Sequence, residues 1–152
     1  MNRHSILILV FVFSAVSAIA QTTRMGTFDR QAIVVAFYSS PLWAATLKEK
    51  QSELDRARRA NDSTKVNELS TWGEESQELA HKQLAGEAPI SNIIEALQPA
   101  FQEIEKTDNL SAIVPAPAVD LRVQAIDVTD KLLDWLKANE RTRKIIQGLS
   151  KQ

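Results

Sequence analysis

The sequence predicts an α+β fold: about three short strands in a small antiparallel or mixed sheet, a projecting α-helical hairpin, and a C-terminal helix. Three observations predict it. The middle of the chain is rich in Ala, Leu, Glu, Lys, Gln and Arg, which are strong helix formers. Its apolar residues recur at helical steps on either side of a polar turn at Asn61-Asp62. Short β-type runs flank that region: Met25-Gly26-Thr27-Phe28 before it, Leu110-Ser111-Ala112-Ile113-Val114 and the alternating Val119, Leu121 and Val123 after it.

The chain opens with a secretory signal pattern. Asn2-Arg3-His4 is mildly basic, Ser5 to Val16 is almost wholly apolar, and Ala18-Ile19-Ala20 places small residues where a signal peptidase reads. Residues 1–20 are therefore expected to be removed, with residues 21–152 forming one domain. The apolar run falls short of the roughly 20 residues a membrane-spanning helix needs. No cysteine follows the cleavage site, which excludes a lipid-modified terminus. Removal takes away Arg3 and no acid, so the net charge moves from −1 to −2. That balance argues against nucleic-acid binding, which calls for a basic excess. The absence of cysteine excludes disulfides, thiol nucleophiles and zinc-thiolate sites.

After the first strand, Asp29 is placed to cap a short helix over Ala32 to Tyr38, ended at Ser39-Ser40. Ser40-Pro41 restarts the chain as N-cap and first helical residue. Trp43, Leu47, Leu54 and Ala57 then form a narrow heptad-like stripe, with Lys50 at the missing position. One thin apolar face suits a coiled-coil-like hairpin wet on most sides. Ala60-Asn61-Asp62-Ser63 makes the turn, and the return helix carries Val66, Leu69, Trp72, Leu79 and Ala80 and stops at Gly86. A third helical segment, counted with the hairpin over 41–106, places Ile90, Ile93, Ile94, Leu97, Phe101 and Ile104 on one face for packing on the sheet. Asn92 and Glu95 suggest a capping box, and Pro99 a kink or break. Asp127-Val128-Thr129-Asp130 starts a last helix whose buried stripe is Val128, Leu132 and Trp135 or Leu136. Asn139 interrupts it before Arg141 to Leu149.

Met25-Gly26-Thr27-Phe28-Asp29 near the start, and Asn109 to Val114 followed by Ala118-Val119 and Asp127-Val128-Thr129-Asp130, resemble the two ends of the OmpH/Skp family of periplasmic chaperones. Phe37-Tyr38-Ser39-Ser40 and the segment from Trp72-Gly73 to Ile90 are more similar to uncharacterised exported members with a shortened hairpin. The resemblance implies a homo-oligomer, a trimer, in which short strands build a central body and helical hairpins surround unfolded outer-membrane proteins. It implies periplasmic localisation in a cell with two membranes.

No cofactor or metal is expected, and no catalytic residue. His81 is the one histidine beyond residue 20, so any triad or metal site would use it with Glu78 and Glu74. It lacks the second histidine that makes helical metal-ligand spacing specific, and a surface histidine is the plainer reading. The hairpin tip carries Arg56, Arg58, Arg59 and Lys65 against Asp55 and Asp62, a local net of +2. Residues 68–87 carry five glutamates against Lys82, a net of −4. A basic tip can steer towards acidic proteins or an anionic membrane surface; equally, it can serve only to keep the tip soluble. Trp43, Leu47, Trp72 and Leu79 are the candidate apolar surface, with burial in the hairpin seam as the rival reading for the two tryptophans. The expected function is holdase-like protein binding without catalysis. The alternative is a structural or adaptor oligomer of the cell envelope with one fixed partner.

Overall fold

Residues 24–116 and 124–149 are described in a computed structural model of the chain. Their order is β1 (Arg24–Phe28), α1 (Arg30–Tyr38), α2 (Pro41–Arg59), α3 (Ser63–Ala85), α4 (Ser91–Asp108), β2 (Ala112–Pro115), β3 (Gln124–Asp127), α5 (Thr129–Trp135) and α6 (Glu140–Leu149). Local chemistry sets most of these boundaries. The Ala32 amide donates to Asp29 Oδ1 at 2.9 Å, and the Trp43 amide to Ser40 Oγ at 3.2 Å, satisfying helix-start donors that would otherwise lack partners. At the hairpin turn Asn61 takes a left-handed φ of 52°, and Asp62 accepts from the Lys65 amide. Gly86, at φ 85°, closes α3.

The three strands form one sheet in the order β2-β1-β3, and both pairings are parallel. The expected antiparallel or mixed arrangement is corrected on this point. Alternation identifies which residues share a strand face, but it carries no information on strand direction. β1 lies between β2 and β3, and each pairs with it in the same sense. The β1-to-β2 connection is a long helical crossover, as parallel pairing requires. The alternating run at Val119, Leu121 and Val123 and the signal segment 1–20 lie outside the described residues.

Gly26 in the central strand pairs with Ile113, and close approach explains the glycine. A Cβ there would sit 2.8 Å from Ile113 Cγ1 and 3.1 Å from Leu110 Cδ1. Gly26→Ala is expected to destabilise the fold by about 1–3 kcal/mol, because the contacted carbon is mid-chain and its strand must shift. A lowered urea midpoint would report this; an unchanged midpoint would mean the sheet yields freely there.

The core is built by β1, α1, α4 and α5. Phe28, Ile33, Ile93, Leu97, Val128 and Leu132 have almost no exposed surface. The Phe28 and Phe101 rings stack at 5.9 Å, joining β1 to α4. The apolar face expected of α4 is buried, with Ile94 only half-buried and Ala100 added. The helix runs unbroken through Pro99. Both Pro99 and Glu95, whose carbonyl loses its donor, are exposed, so water can take that place. α4 thus belongs to the body, and the projecting hairpin is α2 and α3 alone, ending at Ala85 rather than near residue 106. The capping box is not formed: α4 has no side-chain cap, and Asn92 Oδ1 accepts instead from Gln83 Nε2 at 2.6 Å.

Candidate protein-binding site on the helical hairpin

Across the 19 residues of α2 and the 23 of α3, only Ala57, Leu69 and Gln83 are buried. The two helices touch each other through a thin seam and leave most of their surface in water. At mid-length the seam gapes. Leu47, Leu54, Leu69 and Trp72 line an open groove of about 550 Å³, bordered by Lys48, Lys50 and Gln51. Gly73 is part of its wall, and nothing lies within 4 Å of where a Cβ would be. The lining is mainly apolar. Leu47 is 46 % exposed and Leu79, nearer the body, 36 % exposed. Lys50, the polar residue in the stripe, places Nζ 5.9 Å from the Trp72 ring centre and 3.1 Å from Glu53, so the aliphatic stem covers apolar surface while the charge stays paired.

A run of aromatic rings fixes the hairpin to the body. Phe37 and Tyr38 end α1, Trp43 starts α2, and Trp72 lies on α3. Centroid separations are 5.2 Å for Phe37–Tyr38, 5.1 Å for Tyr38–Trp43 and 6.0 Å for Trp43–Trp72. The first two are edge-on, a favoured aromatic geometry. Below them Gln83, fully buried, accepts from the Tyr38 hydroxyl at 2.8 Å and donates to the Pro89 carbonyl at 2.7 Å and to Asn92. One side chain therefore links α1, α3 and the start of α4.

Of the residues singled out in the sequence, Leu47 and Trp72 meet in the groove and Trp43 lies beside Trp72; Leu79 lies outside the groove lining. Arg56, Arg58, Arg59 and Lys65 are exposed around the tip. Three of them end α2, where positive charge favours the helix dipole. Among the described residues no carboxylate pairs with these arginines, while Lys65 bonds Glu68 at 3.0 Å, which raises the lysine pKa. His81 sits on the exposed face of α3 in a shallow depression with Glu74, Gln77 and Glu78. Glu78 is held by Lys82 at 2.6 Å; that hydrogen bond lowers the Glu78 pKa and raises that of Lys82. Among the described residues no cluster of three or more metal-ligating side chains occurs. A second depression lies at the C-terminal ends of the strands, between Asp29, Arg30, Gln31, Ala116 and Asp127. Its two carboxylates are engaged locally, Asp29 capping α1 and Asp127 accepting from the Thr129 amide at 2.8 Å.

Gln83, Leu54, Leu69 and Gly73 were not singled out as site residues. Gln83 had a signal: it lies four residues after Leu79, which itself lies seven after Trp72, so it is a polar residue on an apolar stripe. No family model, curated protein or solved structure matches this chain.

Proposed function

We propose that this chain is an exported, non-catalytic protein that binds unfolded envelope or outer-membrane proteins and shields their apolar segments, in the manner of OmpH/Skp-like chaperones. The open apolar groove on a hairpin standing in water supports this most directly. Leu47, with the half-buried Leu54 and Trp72 beside it, offers a sequence-tolerant apolar surface over the buried Leu69, and neighbouring Lys48 adds a weak attraction for acidic clients. Homo-oligomerisation, with three copies, would gather several hairpins around one client. The small sheet favours such closure, since each of β2 and β3 has one neighbouring strand among the described residues. The N-terminal pattern supports export, which in a cell with two membranes would place the chain in the periplasm.

The rival is an adaptor with one fixed partner. The aromatic and Gln83 joint favours it, because a hairpin held rigidly suits one partner better than many.

Diluting an unfolded β-barrel membrane protein into buffer, with and without an excess of this chain, tests the reading. The chain is expected to suppress the rise in light scattering. Leu47→Glu is expected to remove most of that suppression while leaving the fold intact, since this groove leucine is exposed. No suppression by the unaltered chain would leave the adaptor reading in place.

A further inference from the structure

We infer that the tip of the hairpin is a cleavage site for an endoprotease that reads paired arginines, with the Arg59–Ala60 peptide bond as its target. Arg56, Arg58 and Arg59 stand fourth, second and first before that bond. Guanidinium groups at those positions suit an enzyme whose substrate pockets carry carboxylates. All three arginines are exposed, and among the described residues none is held in an ion pair. Arg143-Lys144 is the other place in the chain where two basic residues are adjacent, and it differs on every count. Arg143 is half-buried and bonded to Asp130, Asp134 and the Ala138 carbonyl, and Lys144 is paired with Glu140. Buried Thr142 and Ile146 tie that stretch of α6 to the body.

An endoprotease takes its substrate extended, so the stretch must first leave the helix. At the tip that opening costs little. Arg58 and Arg59 end α2, and Asn61 already stands at a left-handed φ of 52°. Three backbone bonds hold the stretch: the Ala60 amide to the Arg56 carbonyl at 3.0 Å, the Asn61 amide to Arg58 at 3.1 Å and the Asp62 amide to Ala57 at 3.0 Å. They lie at an exposed helix end, where water replaces each. From Arg56 to Lys65 only Ala57 is buried, so opening gives up little packing.

Hydrolysis adds one water across the bond. Its oxygen joins the Arg59 carbonyl carbon, the C–N bond breaks, and both water protons end on the Ala60 nitrogen. Arg59 becomes a carboxylate and Ala60 an ammonium. The cut leaves β1, α1 and α2 on one fragment and every later element on the other, yet the fragments stay together. β1 is the central strand, bonded on one side to β2 and on the other to β3. Phe28 and Ile33 of the first fragment share one core with Leu97 and Leu132 of the second. α2 is what changes. It loses its closing turn, and its new carboxylate lies at the helix end that disfavours negative charge. Ala57 is its one buried residue, so its firm anchors are the Ser40 cap and the rings around Trp43. Leu47 and Leu54, which α2 supplies to the groove, are released from α3, and cleavage acts as an off switch for that surface. This goes beyond the client-binding reading and does not rest on it, because cleavage and exchange are read on the chain alone.

Two enzymes test it on the folded full chain. Trypsin in trace amount accepts any lysine or arginine and reports access; an endoprotease specific for paired arginines reports recognition. Both are expected to cut first at the tip, and with the second enzyme mass spectrometry is expected to find one fragment ending at Arg59 and one beginning at Ala60. Arg143-Lys144 is expected to be cut about tenfold more slowly or less, because its open form is rarer. The two fragments are expected to elute together on size exclusion, with hydrogen exchange faster in α2 beyond Leu47 and unchanged in β1. Arg58→Gln with Arg59→Gln, checked for folding by circular dichroism, is expected to slow the paired-arginine enzyme by about tenfold or more while trypsin still cuts the tip at Arg56 or Lys65. A first cut elsewhere on the folded chain, or cleavage of the variant by the paired-arginine enzyme at the unaltered rate, would overturn the site. Separation of the fragments, or unchanged exchange in α2 after the cut, would overturn the switch.

Discussion

Replacing Gln83 by methionine is expected to lower folding stability by about 2–4 kcal/mol, although the new side chain is of similar length and more apolar. The loss comes from the partners. Gln83 is fully buried and its amide serves the Tyr38 hydroxyl, the Pro89 carbonyl and the Asn92 side chain. Methionine fills the space but satisfies none of them strongly, and a buried polar group left unpaired costs more than its hydrogen bond contributed. The consequence is local as well as global. Tyr38 packs edge-on against Trp43 at 5.1 Å, so releasing its hydroxyl loosens the hinge between body and hairpin. Hydrogen exchange should speed up in α2 and the second half of α3 more than in α4. Chemical unfolding at one fixed protein concentration measures the global term, since any self-association would otherwise shift it. An unchanged midpoint would mean that the buried network contributes nothing to holding the hairpin.

Leu97→Ala is expected to cost about 2–5 kcal/mol and to act on the body rather than the hairpin. Leu97 has no exposed surface and sits mid-way along the buried face of α4, between Ile93 and Phe101. Truncation removes buried apolar surface and leaves a cavity that the surrounding core closes only in part. The value falls low in that range if Phe101, stacked on Phe28, slides into the space, and high if the sheet holds it. Denaturant unfolding gives the number. The two substitutions separate the two parts of the molecule, because exchange in α2 and α3 should respond to Gln83→Met well before it responds to Leu97→Ala.

Four helix boundaries were legible in the sequence because each is set by a residue acting on backbone close to it in the chain. Asp29, Ser40-Pro41, Asn61-Asp62 and Gly86 all act within one turn, and all four end or start helices where expected. The amphipathic face of α4 was legible for the same reason: periodicity is local. Strand direction was not legible, since it depends on where a strand lies relative to partners some ninety residues away, as Gly26 does to Ile113. Asn92 looked like a helix cap because its spacing to Glu95 is right, but Gln83, nine residues earlier, takes its oxygen. Nothing in a single sequence ranks those two competitors. The tryptophans were legible as seam residues, half-buried and in ring contact, whereas the groove beside them depends on what is missing at Gly73.

In the proposed function the groove at Leu47 and Trp72 receives the client. An environment-sensitive dye on Leu47→Cys, in a chain with no other cysteine, reports that most directly. The same dye on Glu140→Cys, at the exposed start of α6, serves as the reference. Adding an unfolded β-barrel membrane protein is predicted to shift emission to the blue, saturably, at position 47 and not at position 140. Suppression of client aggregation with no change at position 47 would contradict the account and place binding elsewhere on the molecule.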